Sequence, residues 1–259
     1  MSPTARTWLK RAFVGTGCIL VAGAGVLGVE IYHAMSQDYL PTSPALEIGG
    51  TFGRAGATPL RLTVLGDSTA AGVGAGSADR AYPTLLAEGL ATRGWRVDLV
   101  GLGVSGARVA DLATEQVRRA IDTEPDVVFI GIGANDATHL TSLGDVERDM
   151  AAALDELRER TSAAIVVAGA PDMRAAAFLE PLRSIVGWRG RKVAAVIEDA
   201  AREREIPVVP LAERTGRYFV SDPEENYSSD DFHPSAAGYA RWAEAILPEL
   251  VAAARGIGS

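Results

Sequence analysis

The chain has 259 residues, 47% of them hydrophobic and 22% charged, which suits one globular domain with a sizeable core and leaves little room for a second. Its formal charge is −8, and residues 1–29 hold Arg6, Lys10 and Arg11 with no acid, so the remainder carries 22 basic against 33 acidic residues, or −11. Such a surface repels nucleic acid and anionic lipid headgroups, and the only cysteine, Cys18, leaves the folded domain without a disulfide.

In chain order, the first element is the uncharged apolar run Ala12 to Val29, which as a helix nearly crosses a bilayer core. The three basic residues precede it while Glu30 and Asp38 follow. The basic-side-in rule therefore makes residues 1–11 a cytoplasmic tail, residues 12–32 a membrane anchor or signal sequence, and the main domain external. The run continues past the small-residue stretch Ala22-Gly23-Ala24, which favours an uncleaved anchor over a cleaved signal peptide. The first reading tethers the domain to the cell membrane and the second secretes it. Gly15 stands where a lipoprotein signal would have leucine before Cys18, which argues against lipidation. Residues 33–59 contain Pro41, Pro44 and Pro59 without apolar periodicity and read as a flexible linker outside the fold.

From Leu60 the pattern becomes regular. Short apolar runs at Leu60–Leu65, Val97–Val100, Val127–Ile132, Ile165–Ala168 and Val208–Leu211 predict five buried strands. Stretches with three- and four-residue apolar spacing predict helices at Tyr82–Arg93, Val109–Ile121, Val146–Arg160, Val193–Arg204 and Tyr239–Leu247. This alternation implies right-handed crossovers and a five-stranded parallel sheet between helical layers, an αβα sandwich that binds ligands at the carboxyl ends of its strands.

Three loops at that rim carry chemistry. Gly66-Asp67-Ser68 follows the first strand, Gly101-Leu102-Gly103-Val104-Ser105-Gly106 the second, and Gly131-Ile132-Gly133-Ala134-Asn135-Asp136 the third. A serine hydroxyl needs an imidazole and a carboxylate to become a nucleophile, and Asp230-Asp231-Phe232-His233-Pro234 supplies both. The Gly103 amide and the Asn135 side chain are candidate donors to the oxyanion of an acyl intermediate. Pro234 favours an extended His233 and suits the first position of the last helix, which sets the imidazole at a defined corner.

With these blocks in this order, the sequence resembles the SGNH hydrolases, the superfamily of the GDSL esterases and lipases, over about Leu60 to Leu250. The resemblance implies a flavodoxin-like domain at residues 60–254, without cofactor or metal. It also implies Ser68 as nucleophile, His233 and Asp230 as its triad partners, and an oxyanion hole of the Ser68 amide, Gly103 and Asn135. The acid three positions before the histidine selects Asp230 over Asp231. One departure is Gly101, where the family's glycine block often begins with asparagine. The implied activity is ester hydrolysis through an acyl-enzyme, on a small-molecule, lipid or glycan acyl ester.

Other readings compete. Ser105 in Gly103-Val104-Ser105-Gly106-Ala107 approaches the Gly-x-Ser-x-Gly elbow of α/β-hydrolases but lacks the last glycine. The cluster Gly72-Val73-Gly74-Ala75-Gly76 has Ser77 where a dinucleotide loop would place its third glycine. His139 has only Asp136 three residues before it, and His33 lies at the membrane-proximal end. Ser68 alone could be a helix cap, and the whole could be a non-catalytic, membrane-tethered binding domain.

Overall fold

The computed structural model describes residues 23–257. A first helix α1 (residues 23–35) leads through an extended stretch to strand β1 (Gly49–Phe52). Strand β2 (Thr58–Gly66), helix α2 (Tyr82–Ala91) and strand β3 (Trp95–Gly101) follow. Helices α3 (Val109–Asp111) and α4 (Val117–Asp122) run into one another through a wider π turn, Leu112–Gln116. Then come β4 (Val127–Gly131), α5 (Ala134–Thr138), α6 (Leu143–Arg160), β5 (Ala164–Ala168) and α7 (Leu182–Arg202). The chain closes with β6 (Val208–Val209), α8 (Leu211–Ser221), α9 (Pro223–Asn226) and α10 (Ala236–Gly256).

The sheet has six strands in the order β1-β3-β2-β4-β5-β6. The five from β2 onward are parallel, and β1 joins antiparallel on β3 with Gly49 opposite Val100 and Phe52 opposite Val97. Helices cover both faces because the strands alternate between two apolar sets. Leu62, Val64, Phe129 and Val166 pack toward α2 and α10, while Leu65, Val128, Ile130 and Val167 pack toward α6 and α7. The chain reverses its winding direction at β2, so the rims of β2 and β4 lie side by side at the switch point where such sheets bind ligands.

Several expectations need correction. The sheet has six strands rather than five, and the extra one comes from the stretch read as a linker. Four mostly exposed edge residues, two of them glycine, carry no periodicity from which to read a strand. The Gly101 amide donates to Ile48 O at 2.9 Å, and a side chain at 101 would overlap Ile48. Glycine in place of the family's asparagine thus makes room for the lead into β1. Helix α7 begins eleven positions before Val193 because Gly187 and Gly190 interrupt the apolar pattern. Both glycines exist for contact, since a Cβ on either would strike Arg174 or Met173. Helix α10 runs past Pro248, where the sequence suggested an end at Leu247. Of the expected membrane segment, residues 12–22 lie outside the described residues. Its remainder belongs to α1, and no described helix is long and apolar enough to cross a membrane.

Candidate active site

Strand β2 delivers its last residue, Gly66, against the neighbouring strand, where any side chain would overlap the Gly131 carbonyl oxygen. The chain then turns sharply. Asp67 Oδ1 accepts from the Thr69 amide at 2.9 Å and the Thr69 hydroxyl at 2.8 Å, pinning the turn that presents Ser68. Burial pushes the Asp67 carboxyl up from its ordinary range, and those two bonds from Thr69 work in the opposite direction.

The turn is braced from below by a residue that the sequence reading passed over. Gln116, in the π turn, accepts from Gly66 N and donates to Gly66 O, both at 2.9 Å. The residues just past β3 still donate to this strand end, Leu102 N to Val64 O at 2.8 Å and Val104 N to Gly66 O at 3.1 Å, and the buried Gln116 side chain supplies the acceptor that the Gly66 amide needs. A glutamine in a helical run carries no sequence signal for this role.

His233 comes from the other end of the chain. The loop 227–234 closes on itself through the Ser228 amide donating to His233 O at 2.8 Å and a bridge between Tyr227 and Pro234. Pro234 precedes the cap of α10 rather than opening the helix, because Ser235 Oγ accepts from the Gly238 amide at 3.1 Å. Asp230 organises this loop: its Oδ1 accepts from Ser228 Oγ at 2.9 Å, Phe232 N at 3.1 Å and His233 N at 2.9 Å. Its Oδ2 lies 2.7 Å from His233 Nδ1 and 3.2 Å from Leu40 N.

The other ring nitrogen, His233 Nε2, is 3.0 Å from Ser68 Oγ. With Nδ1–H donating to the carboxylate, Nε2 is free to accept the serine proton, a tautomer assigned from the bonds around the ring. Burial pushes the Asp230 carboxyl up, but the His233 side-chain and backbone bonds, the imidazole charge and the Leu40 amide outweigh it and hold the group well below the usual carboxylate range. Ser68, Asp230 and His233 are all buried. Asp231, with φ of 55°, takes the tight turn and contributes its carbonyl to Ala177 N at 2.9 Å.

Asn135, the second residue of α5, lines the same cleft as Ser68, with Nδ2 donating to Ala107 O at 3.0 Å and its second N–H available. The adjacent Asp136 is fully buried and accepts from Val109 N at 3.1 Å, so the pair fixes the 107–109 stretch against α5. The two glycines of that loop divide the work. Gly103 packs beneath the serine turn, where a Cβ would strike the Ala70 and Ala71 backbone. Gly106, at φ of 83°, lines the same cleft as Ser68, Asn135 and His233, whereas Gly103 does not line it. Neither the Gly106 nor the Ser68 amide meets a protein acceptor among the described residues. The sequence reading named Gly103 for this donor and passed over Gly106. The positive φ of Gly106, which turns the chain toward the cleft, is a tertiary fact.

The competing readings find no partners. No histidine bonds Ser105; His139 Nδ1 lies 2.9 Å from Asn135 O, and His33 pairs with Gln37. The Gly72–Gly76 loop packs on the catalytic corner, where a Cβ at Gly74 would strike Pro234 O and His233. Two spaces meet at Ser68, Asn135, Phe232 and His233. One is a small pocket of about 30 Å³ and the other a wider cleft of about 550 Å³.

Comparisons with known proteins bear on the family and the fold. The model of the GDSL-like lipase/acylhydrolase family matches residues 64–241. A GDSL-like esterase of Mycobacterium tuberculosis is 33% identical over 194 residues, which cover 74% of this chain and 62% of that protein. Among solved structures, TesA superposes with a TM-score of 0.61 at 21% identity, over 73% of this chain and 97% of that one. A catalytic mutant of Axe2, an acetylxylan esterase from Geobacillus stearothermophilus, superposes at 0.56 with 23% identity, over 75% and 95%. These two likenesses bear on the fold.

Proposed function

Since the chain belongs to the GDSL-like lipase/acylhydrolase family, within the SGNH hydrolases, we propose that it hydrolyses carboxylic esters through an acyl-enzyme on Ser68. The observation that carries this reading is the unbroken run of hydrogen bonds from Ser68 Oγ through the His233 ring to Asp230. His233 Nε2 takes the hydroxyl proton as Ser68 Oγ attacks the acyl carbonyl, and Asp230 holds the ring and stabilises the imidazolium that forms. The same Nε2 then protonates the departing alcohol. A water, deprotonated by that nitrogen, attacks the acyl-enzyme and releases the acid.

The negative oxygen of each tetrahedral intermediate needs fixed donors. We assign these to the amides of Ser68 and Gly106 and to the free N–H of Asn135. Gly103 is the glycine that lets the serine turn seat against the sheet. The esterase family supports small-molecule or glycan acyl esters as the substrate class. The basic residues Arg6, Lys10 and Arg11 ahead of the apolar run 12–29 support an external catalytic domain on a membrane tether. Protease digestion of intact cells tests that placement, and full protection of the domain would refute it.

A fluorophosphonate probe tests the chemistry. The wild type is expected to label on Ser68 and Ser68→Ala to lose both labelling and turnover, whereas labelling that persists in Ser68→Ala would refute the assignment.

A further inference from the structure

The open cleft at the catalytic centre has a wall built from outside the region that the family model matches. Ser68, Gly106, Asn135 and His233 lie at its polar end, and its remaining lining is mostly apolar. Phe178, Leu182 and Val186 come from the stretch leading into α7 and from α7 itself. Ile31, Met35 and Leu40 come from α1 and the residues just after it, which precede residue 64.

That segment is tied down at several points. Glu30 is buried with Oε2 2.9 Å from the amide of Leu182, the first residue of α7. The carboxylate therefore satisfies a helix-start donor that Pro181, the residue in the cap position, has no side-chain group to reach. Burial of this acid is tolerable only with such a partner. Gln37 Nε2 donates to Ala177 O at 3.0 Å, and Tyr39 packs edge-on against Phe232 at 5.4 Å. The Leu40 amide reaches Asp230. Each tether lands on a loop or helix start that frames the site.

We propose that residues 30–40 are a working part of the active site, forming with α7 an apolar site for the acyl chain of the ester. The proposal rests on the esterase reading above and names where the acyl group goes. Of the two spaces that meet Ser68, the smaller, of about 30 Å³, has room only for a few water-sized groups. A chain of several carbons attached to the reacting carbonyl has only the cleft, whose volume of about 550 Å³ falls in the range of small-molecule sites. The rim continues the apolar character outward, because Met35, Ile31, Leu179 and Ile185 are exposed. Medium-chain fatty acyl esters match this chemistry.

The test uses the full chain, the double variant Ile31→Ser/Met35→Ser, and Glu30→Ala. Each is assayed on p-nitrophenyl esters from acetyl to decanoyl and on acetate esters of ethanol through octanol. For the wild type, kcat/KM is expected to rise about fourfold for each methylene that enters the cleft and then level, while the alcohol series stays flat. In the double variant the slope flattens through KM rather than kcat. Glu30→Ala flattens it too, by releasing the segment from α7. Ile31 and Met35 are exposed, so the double variant retains the fold and decides the matter even if Glu30→Ala does not fold. A wild type that prefers acetyl, or that responds to alcohol length instead, overturns the acyl site. Variants with the wild-type slope overturn the role of the segment. Absence of ester turnover together with absence of fluorophosphonate labelling would instead refute the esterase reading on which the proposal stands.

Discussion

Replacing Asp230 by asparagine isolates what the carboxylate does for the imidazole. Oδ1 accepts three donors from its own loop, and Oδ2 accepts His233 Nδ1–H and the Leu40 amide. An asparagine that keeps its oxygen at the Oδ1 position preserves the loop and turns its NH2 toward two groups that also donate. The ring relieves the conflict by moving its proton to Nε2, which then donates to Ser68 Oγ and no longer accepts from it. In Ser-His-Asp proteases the equivalent change lowers kcat about 10⁴-fold, which corresponds to about 5.4 kcal/mol at the transition state. The same loss is expected here, read as kcat on a saturating p-nitrophenyl ester. The fold loses one charge-assisted bond and leaves the Leu40 amide unsatisfied, about 1.5–3 kcal/mol, or a drop in Tm of roughly 5 °C for a chain of this size. Because the folded-state pKa of Asp230 is depressed, its contribution is fully present above the unfolded value near about 3.9 and fades as pH falls toward the folded one. The Tm gap between wild type and variant should therefore shrink from pH 7 to pH 3. A variant whose kcat stays within tenfold of wild type would refute the tautomer argument outright.

Three further perturbations probe the rest of the site. Asn135→Ala removes an oxyanion donor and should lower kcat by about 10²–10³-fold with little change in KM; steady-state kinetics decides, and a pure KM effect would sink the role. Gln116→Ala leaves the Gly66 amide buried without its partner, at a cost of about 1–3 kcal/mol. Chemical denaturation measures it, and unchanged stability would show that Gly66 finds another acceptor. Burial raises the pKa of Asp67, so its contribution is present below the unfolded value and is lost as pH rises through the folded one. Asp67→Asn, which keeps an oxygen for the two Thr69 bonds, should thus melt no lower than wild type at pH 7, and a clear drop in Tm there would contradict the sign.

The parts of this protein that sequence made legible are those in which a local pattern and a local structure coincide. Short apolar runs marked the central strands, since a parallel strand covered by helices is buried on both faces. The Gly66-Asp67-Ser68 turn and the three-residue step from Asp230 to His233 were readable through their resemblance to the blocks of the SGNH hydrolases. Beyond them the signal ended. Strand β1 lies in four exposed residues that take their order from pairing with β3. The start of α7 hides behind two glycines whose reason is contact with Arg174 and Met173. Gln116 supports Gly66 across fifty positions with nothing in its neighbourhood to announce it.

The chain order of residues thus determined which groups exist to do chemistry: a serine after a buried strand, an imidazole near the far end and a carboxylate one turn before it. Tertiary structure alone decided that His233 Nε2 stands 3.0 Å from Ser68 Oγ, that Gly106 rather than Gly103 borders the cleft, and that residues 30–40 close one side of it. The physical reason is that a side chain's type is encoded at its own position. Its direction and distance depend on how crossovers stack separate segments at one rim of a twisted sheet, and packing between elements far apart in the chain sets that arrangement.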